Sequence, residues 1–148
     1  MEIKQSKKFE SLEHEAFLNL QRTTDFLMRK VTDALKPFGI TPPQYNVLRI
    51  LRGAGESGLI NREIGERMLT FVPDVTRMLD RLEKRDLVCR ERGVEDRRLV
   101  TACITEEGLN LLSDLDQVFS DLNKELLGVC NKRTLTELIG TLERLRGA

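Results

Sequence analysis

Histidine is nearly absent from this chain, in which His14 is the single example among 148 residues. A Ser-His-Asp relay or a multi-histidine metal site would have to be built almost without histidine, so we expect no enzyme, no metal site and no cofactor. Tryptophan is missing, tyrosine occurs once, and aromatic residues make up only 5% of the sequence against 32% charged residues. This composition favours long amphipathic helices over a β-sandwich or barrel.

Cysteine is also scarce. The three cysteines show no Cys-x-x-Cys spacing and follow no secretory signal, which is typical of a reduced, cytoplasmic protein. No apolar run approaches the ~20 residues that a transmembrane helix needs, so no membrane association is expected. A net charge of one sign is lacking as well, since 24 Lys+Arg cancel 24 Asp+Glu. Any affinity for a polyanion must therefore come from local clustering of charge.

Long apolar stripes with helical spacing occupy both ends of the chain. One stripe extends from Phe9 to Phe38 and stops at Gly39, and two more helices follow Thr105 and Lys132. These stripes exceed what a core of about sixty residues can cover, so they need a partner. Pairing with the same helices of a second copy buries identical surfaces, and the sequence therefore predicts a homodimer.

Three short helices and a β-hairpin are expected between these ends. Each helix begins at a residue whose side chain can accept a hydrogen bond from the first helical amides: Thr41, Asn61 and Thr70. Pro73 is expected in the first turn of the third, where proline removes no helical hydrogen bond. The β-rich stretches 87–92 and 99–104 then form the hairpin.

A helix-turn-helix followed by a hairpin is the winged-helix arrangement. We therefore predict a mainly α fold, a winged helix-turn-helix with a small β-hairpin wing and N- and C-terminal helices forming a dimerisation region. The chain is expected to be a single domain, 1–148. Its winged helix would occupy about 41–104, and its dimerisation helices about 8–38 and 106–148.

Three stretches of this sequence, taken in order, carry a family resemblance: Gly39–Leu48, Val75–Glu83, and Asp96–Arg98 leading to Ile104–Gly108. Through them the chain resembles the MarR (multiple antibiotic resistance regulator) family of bacterial transcription regulators over nearly its full length. The resemblance implies a homodimer that binds a pseudo-palindromic operator in double-stranded DNA. Such a protein is usually a repressor that is released by a small ligand or by oxidation.

The resemblance also implies roles for single residues. Asp96 and Arg98 fall on the family's Asp-x-Arg wing motif, whose arginine enters the minor groove and whose aspartate supports the wing. Val75–Glu83 falls on its recognition helix. Three positions depart from the pattern. Phe71 stands where a capping serine is common, Asp86 stands where a glycine usually closes the helix, and Gly65 replaces the usual alanine of helix three.

The N-terminal residues of a recognition helix meet base edges in the major groove. The residues expected to contact DNA are Pro73, Asp74, Thr76, Arg77, Arg81, Arg97 and Arg98. The alternative is that Asp74 only complements the helix dipole and that the arginines are solvated surface. Eight basic residues outnumber only six acidic ones over 77–98, so DNA binding requires the acids to be paired or turned away.

Two further features leave alternatives open. Cys89 and Cys103 would face each other in a hairpin centred on Asp96, either as a reduced pair of small thiols or as an oxidation-sensitive bridge. The resemblance also suggests a pocket for a small aromatic or phenolic effector where the N-terminal helix, helix two and the fifth helix meet. The residues suggested as its walls are Phe17, Phe38 and Tyr45. The alternative is that all three are ordinary core residues.

A second function is compatible with the same fold. A winged helix can act as a protein–protein adaptor without binding DNA, with its charged wing docked onto a partner. Salt dependence separates the two functions, because DNA binding through phosphates has a log–log slope of about −0.9 per contact. An adaptor would show no affinity for duplex DNA.

Overall fold

A computed structural model describes residues 9–92 and 100–147, and the chain divides into two compact units, Met1–Ser113 and Asp114–Ala148. The order of elements confirms the predicted mainly α fold with a small antiparallel sheet. The elements are α1 (Leu12–Leu35), α2 (Pro42–Ala54), β1 (Leu59–Ile60), α3 (Asn61–Arg67), α4 (Val75–Glu83), β2 (Val88–Arg92), β3 (Val100–Ile104), α5 (Glu106–Leu127) and α6 (Lys132–Leu145).

Local hydrogen bonds explain why several helices begin where they do. At α2 the side chain of Thr41 accepts from the amide of Gln44, and the Gln44 side chain accepts from the amide of Thr41 at 2.9 Å. The amide of Gly108 donates to the Thr105 hydroxyl at the start of α5, and the amide of Thr134 donates to Asn131 at the start of α6. The predicted caps Thr41 and Thr105 are therefore confirmed.

The predicted start of α4 is wrong. Its N-cap is Asp74, whose carboxylate accepts a hydrogen bond from the amide of Arg77 at 2.8 Å, so Thr70 is not the cap and Pro73 precedes the helix. Proline disfavours the helical conformation for Val72, which disfavours a start at Thr70. Aspartate is also a stronger cap than threonine, and its charge complements the helix dipole.

The start of α3 differs from its prediction by one residue. Ile60 is the N-cap, and its amide donates to the Glu63 carboxylate at 3.0 Å. Asn61, predicted as the cap, instead donates from Nδ2 to the Thr76 hydroxyl at 2.8 Å. The amide side chain of Asn61 thus connects α3 to α4 rather than closing its own helix.

The sheet has three antiparallel strands in the order β1-β3-β2. Strands β2 and β3 pair with Cys89 opposite Cys103, which confirms the predicted facing of these cysteines. Strand β1 was not predicted, because two residues are too short to show an alternating pattern; Leu59 pairs with Ala102. The extra strand attaches the chain before α3 to the hairpin.

Buried apolar side chains hold α4 in the first unit. The core residues of this unit that have no exposed surface are Leu35, Val47, Leu48, Leu51, Ile64, Leu79, Leu82, Ala102 and Leu112. Met78 is also buried, at 9% exposed, so one side of α4 is fixed by three apolar residues. The opposite side of α4 is free to face solvent.

A second contact fixes the end of α4. The guanidinium of Arg85 donates to the carbonyl oxygens of Gly39 at 2.6 Å and Phe38 at 3.1 Å, which lie in the corner between α1 and α2. Asp86 follows with φ of 55°, a left-handed conformation that favours glycine. The Thr105 hydroxyl donates to the Asp86 carbonyl and so supports this turn into β2.

The terminal helices leave apolar side chains in contact with solvent. On α1 and α6 the large apolar residues that are 38–81% exposed are Leu12, Phe17, Leu20, Phe26, Met28, Leu138, Ile139 and Leu145. Throughout 9–92 and 100–147, no helix combines the length and the apolar character needed to span a bilayer.

We expect Gly58→Ala to destabilise the fold by about 2–4 kcal/mol, because Gly58 has a φ of 61° and its neighbours leave no room for a side chain. A Cβ would lie 2.5 Å from Cys103 Sγ and 2.6 Å from the Ala102 carbonyl oxygen. Gly53→Ala is the matched control, since nothing lies within 4 Å of its Cβ position. Urea unfolding should show the control unchanged or stabilised; a Gly58→Ala protein as stable as the wild type would contradict this packing.

Candidate nucleic-acid interface

The solvent-facing side of α4 is divided by charge. Arg77, Arg81 and Lys84 fall within roughly 60° of arc around the helix, and we refer to them as the basic flank. Asp80 and Glu83 fall on the other side of the same exposed surface and form the acidic flank. The helix thus presents cations along one edge and carboxylates along the other.

A single arginine of the hairpin pairs with both carboxylates of the acidic flank. Nη2 of Arg90, on β2, lies 2.6 Å from Oδ1 of Asp80, and Arg90 Nε donates to Oε2 of Glu83 at 3.1 Å. Arg90 Nη2 also contacts Glu83 Oε2. The Arg90 side chain is only 22% exposed, and its hydrogen bonds to Glu83 are the largest cause of a raised Arg90 pKa. The guanidinium therefore stays charged and offsets much of the acidic flank's charge.

The basic flank is not neutralised in the same way. Arg77 and Arg81 are exposed, and no residue of the described chain forms an ion pair with either guanidinium. Both arginines line a cleft of about 310 Å³ between the first turn of α2 and the start of α4. The cleft is also lined by Thr41, Pro43, Gln44, Phe71, Val72, Pro73, Asp74 and Met78. Cationic groups are therefore available on this edge of α4.

The remaining predicted contacts on this helix lie at its start. Pro73 is exposed directly before the cap, and Asp74 uses one carboxylate oxygen to cap the helix. Thr76 accepts a hydrogen bond from Asn61 through its hydroxyl oxygen, which leaves the hydroxyl proton free to be donated. The structure therefore brings Pro73, Asp74, Thr76 and Arg77 to one end of α4.

The tip of the wing falls outside the described residues. Asp96, Arg97 and Arg98 belong to the segment 93–99, so the minor-groove assignment stays a prediction from the family resemblance. The described strands end at the pair Arg92 and Val100, so the tip is joined to the same hairpin that carries Arg90.

The cysteine pair has the properties of ordinary reduced thiols. Cys89 donates a weak hydrogen bond to the carbonyl of Cys103 at 3.8 Å, and Cys103 donates to the carbonyl of Glu56 at 3.7 Å. Burial is the largest cause of the raised Cys103 pKa, and the charges of Cys89 and Glu91 add to it. Because the thiolate is the reactive form, the raised Cys103 pKa disfavours oxidation at Cys103.

The three residues predicted to wall an effector pocket are not brought together within one protomer. Phe17 is 59% exposed on α1. Along the helix axis it lies roughly 27 Å from Leu35, the last residue of α1, and Phe38 follows Leu35 by only three residues. Tyr45 is buried in α2, and the Arg49 guanidinium lies 5.8 Å from its ring centroid. Phe17 is therefore too distant to share one small cavity with Phe38.

Sequence reasoning missed two of the side chains that connect α4 to its neighbours. Arg90 and Asn61 reach residues seven or more positions away, and no local spacing rule identifies such partners. Only for Arg90 does the sequence contain an indication, because strand alternation places Arg90 on the same face of β2 as the buried Val88. Over the described chain, no group of three or more His, Cys, Asp or Glu could hold a metal ion.

Comparisons with known proteins give one consistent result. The family model described as MarR family matches residues 40–100. The chain is 28% identical over 124 residues to the HTH-type transcriptional regulator MhqR of Bacillus subtilis (strain 168), covering 78% of this chain and 84% of that protein. It is 38% identical to a MarR transcription factor from Planctomyces limnophilus, with a TM-score of 0.72. The similarity covers 92% of this chain and 98% of that one.

A third relative has been solved with nucleic acid bound. It is a mutant MarR from E. coli complexed with operator DNA, and it is similar to this chain at 26% identity and a TM-score of 0.76. The similarity covers 92% of this chain and 99% of that one.

We expect Arg90→Ala to lower the free energy of unfolding by about 1–2 kcal/mol, because it leaves two neighbouring carboxylates without their shared cation. Arg62→Ala is the matched control, since the Arg62–Glu66 pair is 3.7 Å apart and largely exposed, and it should cost less than about 0.5 kcal/mol. Urea unfolding measures both variants. Equal losses in the two would show that the Arg90 pairing does not stabilise the fold.

Proposed function

The chain belongs to the MarR family of transcription regulators, and we propose that it acts as a homodimer on a pseudo-palindromic operator in double-stranded DNA. In this proposal α4 enters the major groove, and the two copies of α4 contact half-sites about one helical turn, ~10 bp, apart. The start of α4 and its basic flank contact bases and phosphates.

One observation carries this proposal: the cations of α4 are exposed while its carboxylates are paired with Arg90. Affinity for DNA comes largely from neutralising phosphates, so a surface with free carboxylates beside its arginines would bind weakly. Arg90 pairs with Asp80 and Glu83 and its charge offsets one of their two negative charges, while Arg77 and Arg81 stay available. The operator complex of the E. coli relative supports the same use of this fold.

Specific roles follow from side-chain chemistry. Arg77 can donate two hydrogen bonds to guanine O6 and N7, and Thr76 can donate one from its hydroxyl. Asp74 can accept from cytosine N4 through the carboxylate oxygen that does not cap the helix. Arg98, together with Arg97, would reach the minor groove from the wing, where a narrow groove attracts arginine, and Asp96 would support that wing.

The exposed apolar residues of the terminal helices support the homodimer. Phe17 and Phe26 on α1 are more than half exposed, as are Ile139 and Leu145 on α6. Exposed large apolar side chains of this kind mark an interaction site on each of these helices. A second copy of the chain supplies an identical surface about a two-fold axis, which also matches a palindromic operator.

We expect Arg77→Ala and, separately, Arg98→Ala to weaken DNA binding about ten- to a hundredfold, because each removes a predicted base or groove contact. The probe is a duplex enriched from a random-sequence library by the wild-type protein, termed here the selected duplex. Arg133→Ala on α6 removes the same charge from an exposed ion pair and should bind as the wild type does. Titration at several salt concentrations measures affinity and slope.

Two results would contradict the proposal in different ways. Unchanged affinity in both variants would show that Arg77 and Arg98 do not make the assigned DNA contacts. Failure to enrich any duplex would favour the protein–protein adaptor. Sedimentation of each variant as a dimer, like the wild type, confirms that the loss is local to the DNA interface.

We expect the double substitution Leu138→Asp with Leu142→Asp to yield monomers, because it places two charges on the apolar stripe of α6. Thr136→Asp is the control, since it lies roughly 160° around the helix from Leu138. Sedimentation velocity distinguishes the two species. A dimer that persists in the double variant would exclude α6 from the interface.

A further inference from the structure

A large apolar side chain stands in solvent beside the basic flank. Phe71 is 91% exposed and lies in the connection between α3 and α4, three residues before the cap of α4. Leu69, two residues earlier, is 85% exposed. Neither the core nor the exposed faces of α1 and α6 include Phe71, so the contacts described so far do not use this ring.

The chain around Phe71 is fixed at both ends. The amide of Leu69 donates to the Asn46 side chain of α2 at 2.8 Å, and the Asp74 carboxylate caps α4. Only four residues separate these two points, and one of them is Pro73, whose φ is fixed by its ring. The ring of Phe71 is therefore presented on a short and constrained segment, which reduces the entropy cost of binding through it.

The surroundings of Phe71 indicate the chemistry of its partner. It lines the same cleft as Arg77 and Arg81, so a partner must combine negative charge with an apolar group at the same place. Duplex DNA meets both conditions, because phosphates flank a major groove in which the thymine C5-methyl is the apolar group on the base edges. An apolar protein surface would leave the two guanidinium groups without anionic partners.

We propose that Phe71 contacts a thymine methyl group at the edge of each half-site and so determines a preference for thymine there. This inference rests on the proposed DNA-binding function and adds a residue to it. It also gives a physical reason for a phenylalanine at a position where a capping serine is common in the resembling family, since Asp74 already caps the helix.

The test replaces each thymine of the selected duplex in turn by deoxyuridine, which removes only the C5-methyl group. At one thymine in each half-site, we expect the wild type to lose about three- to tenfold in affinity. Phe71→Ala should lose a similar factor on the unmodified duplex and should bind the thymine and uracil duplexes within about twofold of each other.

Matched variants separate this contact from general effects. Val129→Ala shortens another apolar side chain that is 87% exposed, in the connection between α5 and α6 rather than beside α4, and should keep the wild-type discrimination. Arg77→Ala should weaken binding to the thymine and uracil duplexes by the same factor. Phe71→Leu retains an apolar side chain and should keep part of the preference for thymine over uracil. This variant keeps the test informative if Phe71→Ala does not fold.

Three outcomes would overturn the inference. They are a wild type indifferent to every uracil, a selected duplex without a fixed thymine, and a uracil effect that is as large in Phe71→Ala as in the wild type. Wild-type affinity in Phe71→Ala together with a change in its sedimentation would assign the ring to contact with a second copy. If no duplex is enriched at all, the proposed function fails rather than the role of Phe71.

Discussion

A guanidinium shared by two carboxylates determines how this surface can interact with DNA. Arg90 on β2 holds Asp80 and Glu83 of α4, and this one contact has two effects. It ties the helix that is proposed to enter the major groove to the hairpin that carries the wing, and it offsets one of two negative charges on a surface that is proposed to approach phosphates. A chain with no net charge can thereby present a cationic edge, because two acids of this helix are paired locally with Arg90.

Parts of the fold determined by neighbouring residues could be predicted from the sequence. Thr41 and Gln44 lie three positions apart, so their reciprocal hydrogen bonds are readable without a structure. The cap at Thr105 and the facing of Cys89 and Cys103 depend similarly on short-range spacing and strand alternation. The basic residues of α4 were also identifiable, because helical periodicity separates them from its buried residues.

The rest depends on tertiary contacts that carry no local pattern. Arg90 reaches two carboxylates, and Asn61 reaches Thr76 across fifteen positions, so neither pairing follows from a spacing rule. The start of α4 was misplaced because Thr70 and Asp74 both qualify as caps, and the competition between them is decided by Pro73. The role of Phe71 becomes visible only when its exposure is known.

Carbonyl groups in the corner between α1 and α2 accept hydrogen bonds from the C-terminal end of α4. Arg85 binds the Gly39 and Phe38 carbonyls with both terminal nitrogens, and the next residue, Asp86, adopts a conformation that few side chains tolerate. Helix α4 is therefore held by hydrogen bonds at its C-terminal end as well as packed along its length. Any displacement of that corner must either move the C-terminal end of α4 with it or break both hydrogen bonds, so the tilt of α4 is mechanically linked to the position of α1.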